Sequence, residues 1–441
     1  MARSNLPSAL ARRRVVAPVV TTYGAIVGAA ALSLVNVMIT SRALGPTGRG
    51  ELAFLTTVAM LTATLATLGI EEANGNLAGS EPHSRGALAS NSLVLAFVLG
   101  CTAGLAVIAM VTLVPDIGAG SNRALLWIAV ASVPVLVFQT SLLFLIRADY
   151  AFALANVAGL IAPVATVTVN GTLAAVGRIS VATAFTVWAA AQVVSTTLLA
   201  WYVARRLAGF ARPDPRLALR ALGFGVKAHT GRVMKTGNYR LDQWLLGSMA
   251  GPRELGLYSV AVAWSEALFY LPEALGMVMR PDLVRSSRDE ALKRGAVAFR
   301  FAVIVTIPLV LVLLVAAPLL CVTVFGDEFR DSIGNLRVLA PGAFGILALK
   351  LLANALTAQR KPMLGNLALA VAFATTIGLD ILLIPAYGGL GAAIASSAAY
   401  TAGGIAVAVI FIRTLDGRAS DLVPRRRDIA RLIAAARPQA R

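Results

Sequence analysis

The stretch ALGPTGRGELAFLTTVA (residues 43–59) recurs in the second half of the chain as MAGPRELGLYSVAVAWS (residues 249–265). Aligned without a gap, the two stretches share three residue pairs: Gly45 with Gly251, Pro46 with Pro252, and Gly50 with Gly256. Glycine commonly ends a helix and proline cannot continue one. Each stretch is therefore predicted to close the first helix of one half and to open the second. The four Gly-Pro residues are candidate hinge or loop positions.

The composition is that of a helical membrane protein. The mean hydropathy is +0.78, with 58% hydrophobic and 14% charged residues, whereas soluble domains have about 45–50% apolar and about 25% charged residues. The apolar residues form blocks of about 20, the length that crosses a bilayer as a helix. A barrel would instead show weakly alternating segments of about 10 residues. The fold class predicted is an all-α polytopic membrane protein.

The net charge of +18 indicates how the chain is oriented in the membrane and does not indicate nucleic-acid binding. The basic residues lie in short loops between apolar blocks, and those loops alternate between arginine-rich and arginine-poor. The positive-inside rule places the arginine-rich side, with both termini, in the cytoplasm. Few lysines and much Ala, Gly and Val are typical of a GC-rich bacterial genome, so the expected location is the bacterial cytoplasmic membrane.

Twelve apolar blocks have the length of a spanning helix. They cover residues 15–41, 51–70, 88–114, 124–146, 151–175, 180–204, 222–249, 254–279, 296–325, 333–358, 364–385 and 389–413. The arginine-rich, proline-containing stretch RRLAGFARPDPRLALR (205–220) separates six blocks from six. An even number of helices per half makes the repeat parallel, with its pseudo-two-fold axis along the membrane normal. The predicted organisation is a basic cytoplasmic N-terminus (1–14), an N-lobe (15–204), a cytoplasmic linker (205–221), a C-lobe (222–413) and a basic cytoplasmic tail (414–441).

Three junctions resemble one known family. RLDQWLLGSMAGPRELGLYSVAVA (240–263), SRALGPTGRGELA (41–53) and LIPAYGGLGAAIASSAAY (383–400) are similar to helix junctions of polysaccharide and O-antigen flippases. Those proteins belong to the multidrug/oligosaccharidyl-lipid/polysaccharide exporter superfamily. The resemblance implies two six-helix lobes forming a V around a central cavity. It also implies alternating access and a polyprenyl-diphosphate-linked oligosaccharide as substrate.

The seventh block, VKAHTGRVMKTGNYRLDQWLLG (226–247), is unusually polar. A charged side chain at the centre of a membrane helix costs about 2.5–3.5 kcal/mol, so it faces protein or water rather than lipid. Cationic groups pair with phosphates, and amide and hydroxyl groups bind sugars. The block therefore predicts a cavity for a diphosphate-linked glycan. Its candidate lining residues are Lys227, His229, Arg232, Lys235, Asn238, Tyr239, Arg240 and Asp242.

Other interpretations of these polar residues stay open. Lys227 and Arg240 can instead extend to the membrane surfaces, with Asp242 paired to Lys235 or Arg240. The whole block can also lie in the membrane interface as an amphipathic helix.

Polar residues elsewhere in the apolar blocks carry further expectations. Asn36, Glu266, Lys350 and Asn354 either line the same cavity or form interhelical hydrogen bonds. Glu71 and Glu72 are expected to be solvated at the end of the second block. Asp380 is expected to have a structural role.

No catalytic set, metal-ligand spacing or cofactor motif is visible, so the sequence does not predict an enzyme. The leading interpretation is a flippase for a lipid-linked oligosaccharide, acting as a monomer among membrane lipids, with H⁺ or Na⁺ as the coupling ion. The alternatives are a cation-coupled multidrug exporter of the same superfamily and a membrane scaffold that transports nothing. The exporter would need buried carboxylates, and the first block has none.

Overall fold

The structure, a computed structural model, describes residues 8–113, 122–207 and 209–428. All regular structure in these ranges is helical, which confirms the predicted class. The α-helices are α1 (Ser8–Ala66), α2 (Ile70–Ser80), α3 (Arg85–Leu113), α4 (Arg123–Ala148), α5 (Phe152–Ala175), α6 (Val181–Tyr202), α7 (Pro215–Met249), α8 (Gly251–Ala267), α9 (Tyr270–Arg285), α10 (Arg288–Pro318), α11 (Ser332–Ala358) and α12 (Pro362–Leu415). Residues 1–7 of the predicted N-terminus (1–14) and residues 429–441 of the predicted tail (414–441) lie outside the described residues.

Eight helices in this part of the chain are long and apolar enough to cross a membrane. Helix α7 is not among them because its charges lower its hydropathy, and α8 and α9 have only 17 and 16 residues. The protein is therefore a multi-pass membrane protein, while the count of twelve spans stays a prediction.

Two of the eight are double-length helices bent at a glycine. Helix α1 covers the first two predicted spans and bends at Gly45, whose φ is 66°. Helix α12 covers the last two and bends at Gly388, whose φ is 53°. Gly251, which the repeat aligns with Gly45, also has a positive φ, 85°. Glycine adopts these left-handed angles without the clash that a Cβ atom would cause. At Gly45 and Gly388 two helices therefore meet at a sharp, non-helical bend without a longer loop between them.

A helix break divides the predicted span 254–279 into α8 and α9. Residues Leu268 and Phe269 separate the two helices. Pro272 explains the break, because its ring clashes with the carbonyl group four residues earlier and it has no N–H to donate there. Glu273, which follows the break directly after Pro272, lines the cavity described below.

Helix α7 begins earlier than predicted, inside the proposed linker. The Asp214 carboxylate accepts hydrogen bonds from the backbone N–H groups of Arg216 and Leu217 at 2.9 and 3.2 Å. Asp214 is therefore an N-cap, and Pro215 occupies the first helical position, where its missing N–H costs nothing. Asn91 of α3 exchanges two further hydrogen bonds with the Asp214 backbone, at 2.8 and 2.9 Å.

The described chain forms two compact units. The first contains the residues up to Leu44 and Leu55–Val233; the second contains Gly45–Phe54 and the residues from Met234 onward. The unit boundary lies inside α7 rather than in the linker, because α7 is one continuous helix from Pro215. In the second unit α11 is central, and Leu352 of α11 and Phe411 of α12 are fully buried in its core.

The two repeated junctions cross each other in the second unit. A Cβ atom at Gly50 would lie 1.6 Å from the Pro252 carbonyl oxygen, and one at Gly256 would lie 1.9 Å from the Pro46 carbonyl oxygen. The two contacts are equivalent under the repeat. Only glycine permits this backbone contact. The repeated glycines therefore have two roles: Gly45 and Gly251 allow the bends, and Gly50 and Gly256 allow the close packing.

We expect Gly256→Ala to destabilise the protein by about 1–3 kcal/mol, the usual cost of overpacking a close contact. The matched control is Gly378→Ala in α12, where a Cβ atom has no neighbour within 4 Å. Alanine favours a helix over glycine by about 0.5–1 kcal/mol, so this control should keep or raise the melting temperature. Thermal unfolding of both purified variants checks the prediction. Equal losses of stability would contradict the described crossing.

The chain after α12 folds back onto α10. Buried Arg300 of α10 donates to the Asp428 carboxylate at 2.8 and 3.3 Å, and Leu422 is 9% exposed in the core. The hydrogen bonds from Arg300 hold the pKa of Asp428 below its ordinary value. The described part of the predicted tail is thus docked on the second unit.

Candidate functional site

A polar cavity of about 180 Å³ lies in the second unit, between α7, α9, α11 and α12. Its lining includes five residues that the sequence proposes, from two different helices: Lys235, Asn238, Tyr239, Lys350 and Asn354. It also includes residues that the sequence analysis does not propose, among them Glu273, Leu369 and Tyr400.

The two lysines of the cavity have different surroundings. Lys350 donates to the Glu273 carboxylate at 2.6 Å and to the Phe269 carbonyl oxygen at 3.2 Å. Its ammonium group also lies 5.8 Å from the centre of the Phe269 ring. Lys235 is exposed and forms no ion pair within the described ranges. One positive charge in the cavity is therefore compensated and the other is available to a ligand.

The two asparagines of the cavity differ in the hydrogen bonds that their side chains form. The Asn238 amide donates to the carbonyl oxygens of Met234 and Leu369 at 2.9 and 3.3 Å, and its oxygen accepts from Thr376 at 3.1 Å. Asn238 thus connects α7 to α12. Half-buried Asn354 forms no side-chain hydrogen bond with any described residue. Its amide can still bind a hydroxyl or phosphate oxygen.

Two tyrosines of the cavity lining, Tyr239 and Tyr400, pack against each other and against Phe269. The centres of Tyr239, Phe269 and Tyr400 lie 6.0–6.3 Å apart in tilted and edge-on contacts. The Tyr400 hydroxyl donates to the Asn238 carbonyl oxygen at 3.1 Å. These contacts fix the rings, and an apolar wall beside a few polar groups is the usual make-up of a small-molecule site.

Arg240 and Glu266 form an ion pair beside this cavity. The guanidinium contacts both carboxylate oxygens, at 2.9 and 3.4 Å. Arg240 also donates to the carbonyl oxygen of Tyr239 at 3.3 Å. Arg240 therefore points into the protein, and the alternative that it extends to a membrane surface does not describe this structure.

Asp242 pairs with hydroxyl groups rather than with a cation. Its carboxylate accepts hydrogen bonds from Tyr258 and from Ser396, the latter at 3.1 Å. The alternative ion pair of Asp242 with Lys235 or Arg240 is not formed among the described residues, although Arg240 is close enough to attract the carboxylate electrostatically.

Asp380 lies near Asp242 and is fully buried. In the described part of the chain, neither of its carboxylate oxygens has a hydrogen-bond partner. The two aspartates are close enough to repel each other. Buried carboxyl groups are normally paired or neutralised, so this pair requires a bound proton or another cation when both groups would otherwise ionise.

The remaining candidate residues lie in the first unit. Asn36 accepts a hydrogen bond from Asn170 of α5 at 2.9 Å, and Lys227 is exposed. His229 is buried, and the Nε of Arg232 lies 3.2 Å from the Glu71 carboxylate. None of these four residues is among the residues that line the cavity around Lys235.

Glu71 is not solvated, contrary to expectation. It is fully buried at the start of α2. The reason is a close backbone contact, since a Cβ atom at Gly69 would lie 2.1 Å from the carbonyl oxygen of Gly225. His229 and Arg232 follow Gly225 by one and two helical turns and therefore face the same helix.

Sequence reasoning missed Glu273 and Arg49. Lys350 in an apolar helix needs a carboxylate partner, and the glutamate directly after helix-breaking Pro272 was a detectable signal. Arg49 lies in the repeated junction, and its Nε donates to the Ser259 hydroxyl at 3.2 Å. Nothing in the sequence indicates that this arginine contacts α8.

The fold is similar to solved membrane transporters at low sequence identity. The chain is 13% identical to the lipid II flippase MurJ in an inward closed conformation, with a TM-score of 0.76 over 91% of this chain and 89% of that one. It is 14% identical to an inward-facing multidrug resistance MATE family transporter of the MOP superfamily, with a TM-score of 0.70 over 87% and 94%. A MOP superfamily transporter from Pyrococcus furiosus is 12% identical, with a TM-score of 0.61 over 92% and 96%. These similarities establish the fold.

A sequence comparison establishes the family. No curated protein matches the chain. The profile of a family described as "Polysaccharide biosynthesis protein" matches residues 39–334, which include both repeated junctions and all of α7. Because this match covers more than half of the 441 residues, the chain belongs to the polysaccharide biosynthesis protein family.

Proposed function

We propose that the protein moves a polyprenyl-diphosphate-linked oligosaccharide across the bacterial cytoplasmic membrane, by alternating access and as a monomer, for assembly of a surface polysaccharide. The observation that carries the proposal is the uncompensated Lys235 in a polar cavity with an aromatic wall, within a polysaccharide biosynthesis family. A cation with free donors beside amide and hydroxyl groups suits a phosphorylated sugar.

The cavity size limits which part of such a substrate it holds. About 180 Å³ is too small for a whole lipid-linked oligosaccharide, since drug-sized ligands occupy pockets of about 300–1,000 Å³. The cavity therefore suits one group of the substrate, such as a phosphate or the first sugar. Lys235 would hold a phosphate oxygen, and Asn354 would bind an adjacent oxygen or hydroxyl.

We infer that the coupling cation, H⁺ or Na⁺, binds at Asp242 and Asp380. A bound cation would neutralise two like charges that the described residues leave without a basic hydrogen-bonding partner. Oxygen atoms of Ser396, Thr376 and Asn238 lie on the same helices, α7 and α12, and carboxylate, hydroxyl and carbonyl oxygens suit a hard cation. The cation site and the substrate cavity both include residues of α7. Binding at either site therefore acts on the same helix.

Deletion of the gene tests the function. The proposal expects the strain to lose its surface polysaccharide while the lipid-linked precursor accumulates on the cytoplasmic side. A plasmid copy of the wild-type gene should restore the polysaccharide. Normal surface polysaccharide in the deletion strain would contradict the proposal.

A cation-coupled multidrug exporter is the second candidate, and the buried carboxylates Glu71, Asp242 and Asp380 favour it. Glu71, however, is neutralised by Arg232, and the substrate cavity carries an uncompensated lysine that repels cationic drugs. A drug-susceptibility panel on the deletion strain separates the two. Hypersensitivity to cationic drugs together with normal polysaccharide would favour the exporter.

A further inference from the structure

We propose that His229 of α7 binds a proton in the first unit, and that the resulting imidazolium donates to Glu71 of α2 and to the end of α1. Neither residue is among those that line the Lys235 cavity, and neither belongs to the cation site proposed at Asp242 and Asp380. The proton site is therefore independent of the proposed function.

Two contacts place the His229 ring against α2. One helical turn before the ring, a Cβ atom at Gly225 would lie 2.6 Å from the carbonyl oxygen of Gly69. One turn after the ring, the Nε of Arg232 lies 3.2 Å from the Glu71 carboxylate. Residues three or four positions apart share one face of a helix. His229 therefore faces the start of α2, between these two contacts.

Three buried polar atoms at this contact have no hydrogen-bond partner in the part of the chain that the structure describes. They are the Oε2 of Glu71 and both ring nitrogens of His229. Glu71 is 0% exposed and His229 is 8% exposed, so bulk water does not replace the missing partners. Buried polar atoms are normally hydrogen-bonded. The contact is therefore incomplete as it stands.

The groups around the ring are hydrogen-bond acceptors. The Leu65 carbonyl oxygen and the Glu71 carboxylate are both close enough to attract a ring N–H group. Leu65 lies in the last turn of α1, where carbonyl groups lack partners inside the helix. A neutral imidazole has one N–H donor and one acceptor nitrogen, whereas an imidazolium has two donors. Two acceptors therefore suit the protonated ring.

Proton binding would connect three helices at one point. One N–H of the His229 imidazolium would donate to the Leu65 carbonyl oxygen of α1, and the other to the free oxygen of Glu71 in α2. Without the proton, the charged contact between α2 and α7 at this level is the ion pair of Arg232 with Glu71. The strength of the contact should therefore depend on pH.

The nearest charges act on the His229 ring in opposite directions. The Glu71 carboxylate favours the imidazolium, whereas the Arg232 guanidinium opposes it. Burial also opposes it, because a charge is less stable away from water. The pH at which the ring binds its proton should therefore respond to the removal of either neighbour.

Two further charged groups lie around this contact. Glu72 of α2 interacts electrostatically with Arg232, and so does Arg147 of α4. The guanidinium carbons of Arg232 and Arg147 lie 5.8 and 5.9 Å from the centre of the Phe144 ring. Two carboxylates and two guanidinium groups balance in charge, so a proton on the histidine is an added positive charge that the free oxygen of Glu71 has to stabilise.

The proton itself is the probe for this site. The chain has two histidines, so isotope-labelled histidine gives two imidazole signals, and His83→Gln identifies the signal of His229. We would record solid-state NMR spectra of the labelled full-length protein in bilayers of neutral lipid, from about pH 8 to about pH 4.5, a range that includes the ordinary histidine value. The His229 ring should change from one protonated nitrogen to two within this range.

Two variants should move this titration in opposite directions. Glu71→Gln should lower its midpoint by about one pH unit or more, because it removes the opposite charge. Arg232→Gln should raise the midpoint, because it removes the like charge. A folding defect does not produce both shifts. The matched control is Arg216→Gln, an exposed arginine in the first turn of α7, which should leave the midpoint unchanged.

Either of two results would overturn the site. The first is a His229 ring that stays neutral down to about pH 4.5, which is about two pH units below the ordinary histidine value. The second is an equal midpoint in the wild type, Glu71→Gln and Arg232→Gln. The spectra report the imidazole rings alone, so a failure of the proposed substrate cavity or of the aspartate site does not change either outcome.

Discussion

Lys235→Glu should reduce polysaccharide export below about one tenth of the wild-type level, because charged hydrogen bonds contribute about 1.5–3 kcal/mol each and the reversed charge repels phosphate. The exchange places a second carboxylate in a cavity that already contains Glu273. It should not prevent membrane insertion, since Lys235 is exposed and has no ion pair to lose within the described residues. Surface polysaccharide in the complemented deletion strain, with immunoblots of the membrane fraction, measures both effects.

The matched control for this exchange is Lys293→Glu, the same charge reversal at an exposed position of α10 outside the cavity. It should leave export at the wild-type level. Lys235→Arg keeps the positive charge and should retain part of the export. If Lys235→Glu and Lys293→Glu export equally well, the cavity does not bind the substrate.

Asp380→Asn should raise the melting temperature of the cation-free protein and remove its stabilisation by the coupling cation. The substitution replaces a carboxyl group that cannot ionise in this buried site without a partner or a bound cation, and above neutral pH the gain is about 1–3 kcal/mol. A bound cation stabilises only a protein that has the site. Thermal unfolding in NaCl and in choline chloride at equal ionic strength checks both parts of the prediction.

The same measurement identifies the cation. If it is Na⁺, the wild-type melting temperature rises in NaCl at fixed pH. If it is H⁺, the melting temperature rises as the pH falls, whether or not Na⁺ is present, because protonation neutralises the buried pair. Asp282→Asn, at an exposed position of α9, is the control and should respond as the wild type does. An identical cation and pH response of Asp380→Asn would rule out this site.

The local features of the fold were predictable from the sequence. The repeat located Gly45 and Gly251, and both have the left-handed angles that make a helix bend. Helix positions followed from apolar blocks, since membrane helices must satisfy their backbone hydrogen bonds internally. The break at Pro272 and the cap at Asp214 also have local signals in the sequence. The first is a proline inside a predicted span, and the second is an aspartate followed by a proline.

The partners of the charged residues were not predictable. From the sequence, Glu71 is predicted to be solvated at a helix end. Its burial depends on the contact between Gly69 and Gly225, which lie far apart in the chain. A helical wheel groups Arg232 with Lys235, whereas the structure places one beside Glu71 and the other in the cavity. Periodicity shows which face of a helix is polar, but only tertiary packing decides what each side chain contacts.

Flipping by the purified protein in liposomes tests the central claim most directly. A fluorescent prenyl-diphosphate-linked oligosaccharide is placed in both leaflets, and the fraction that becomes accessible to an external quencher is followed with time. Wild-type protein and Lys293→Glu should move the lipid from the inner leaflet, whereas Lys235→Glu should match protein-free liposomes. Equal flipping by the wild type and Lys235→Glu would contradict this account of the cavity.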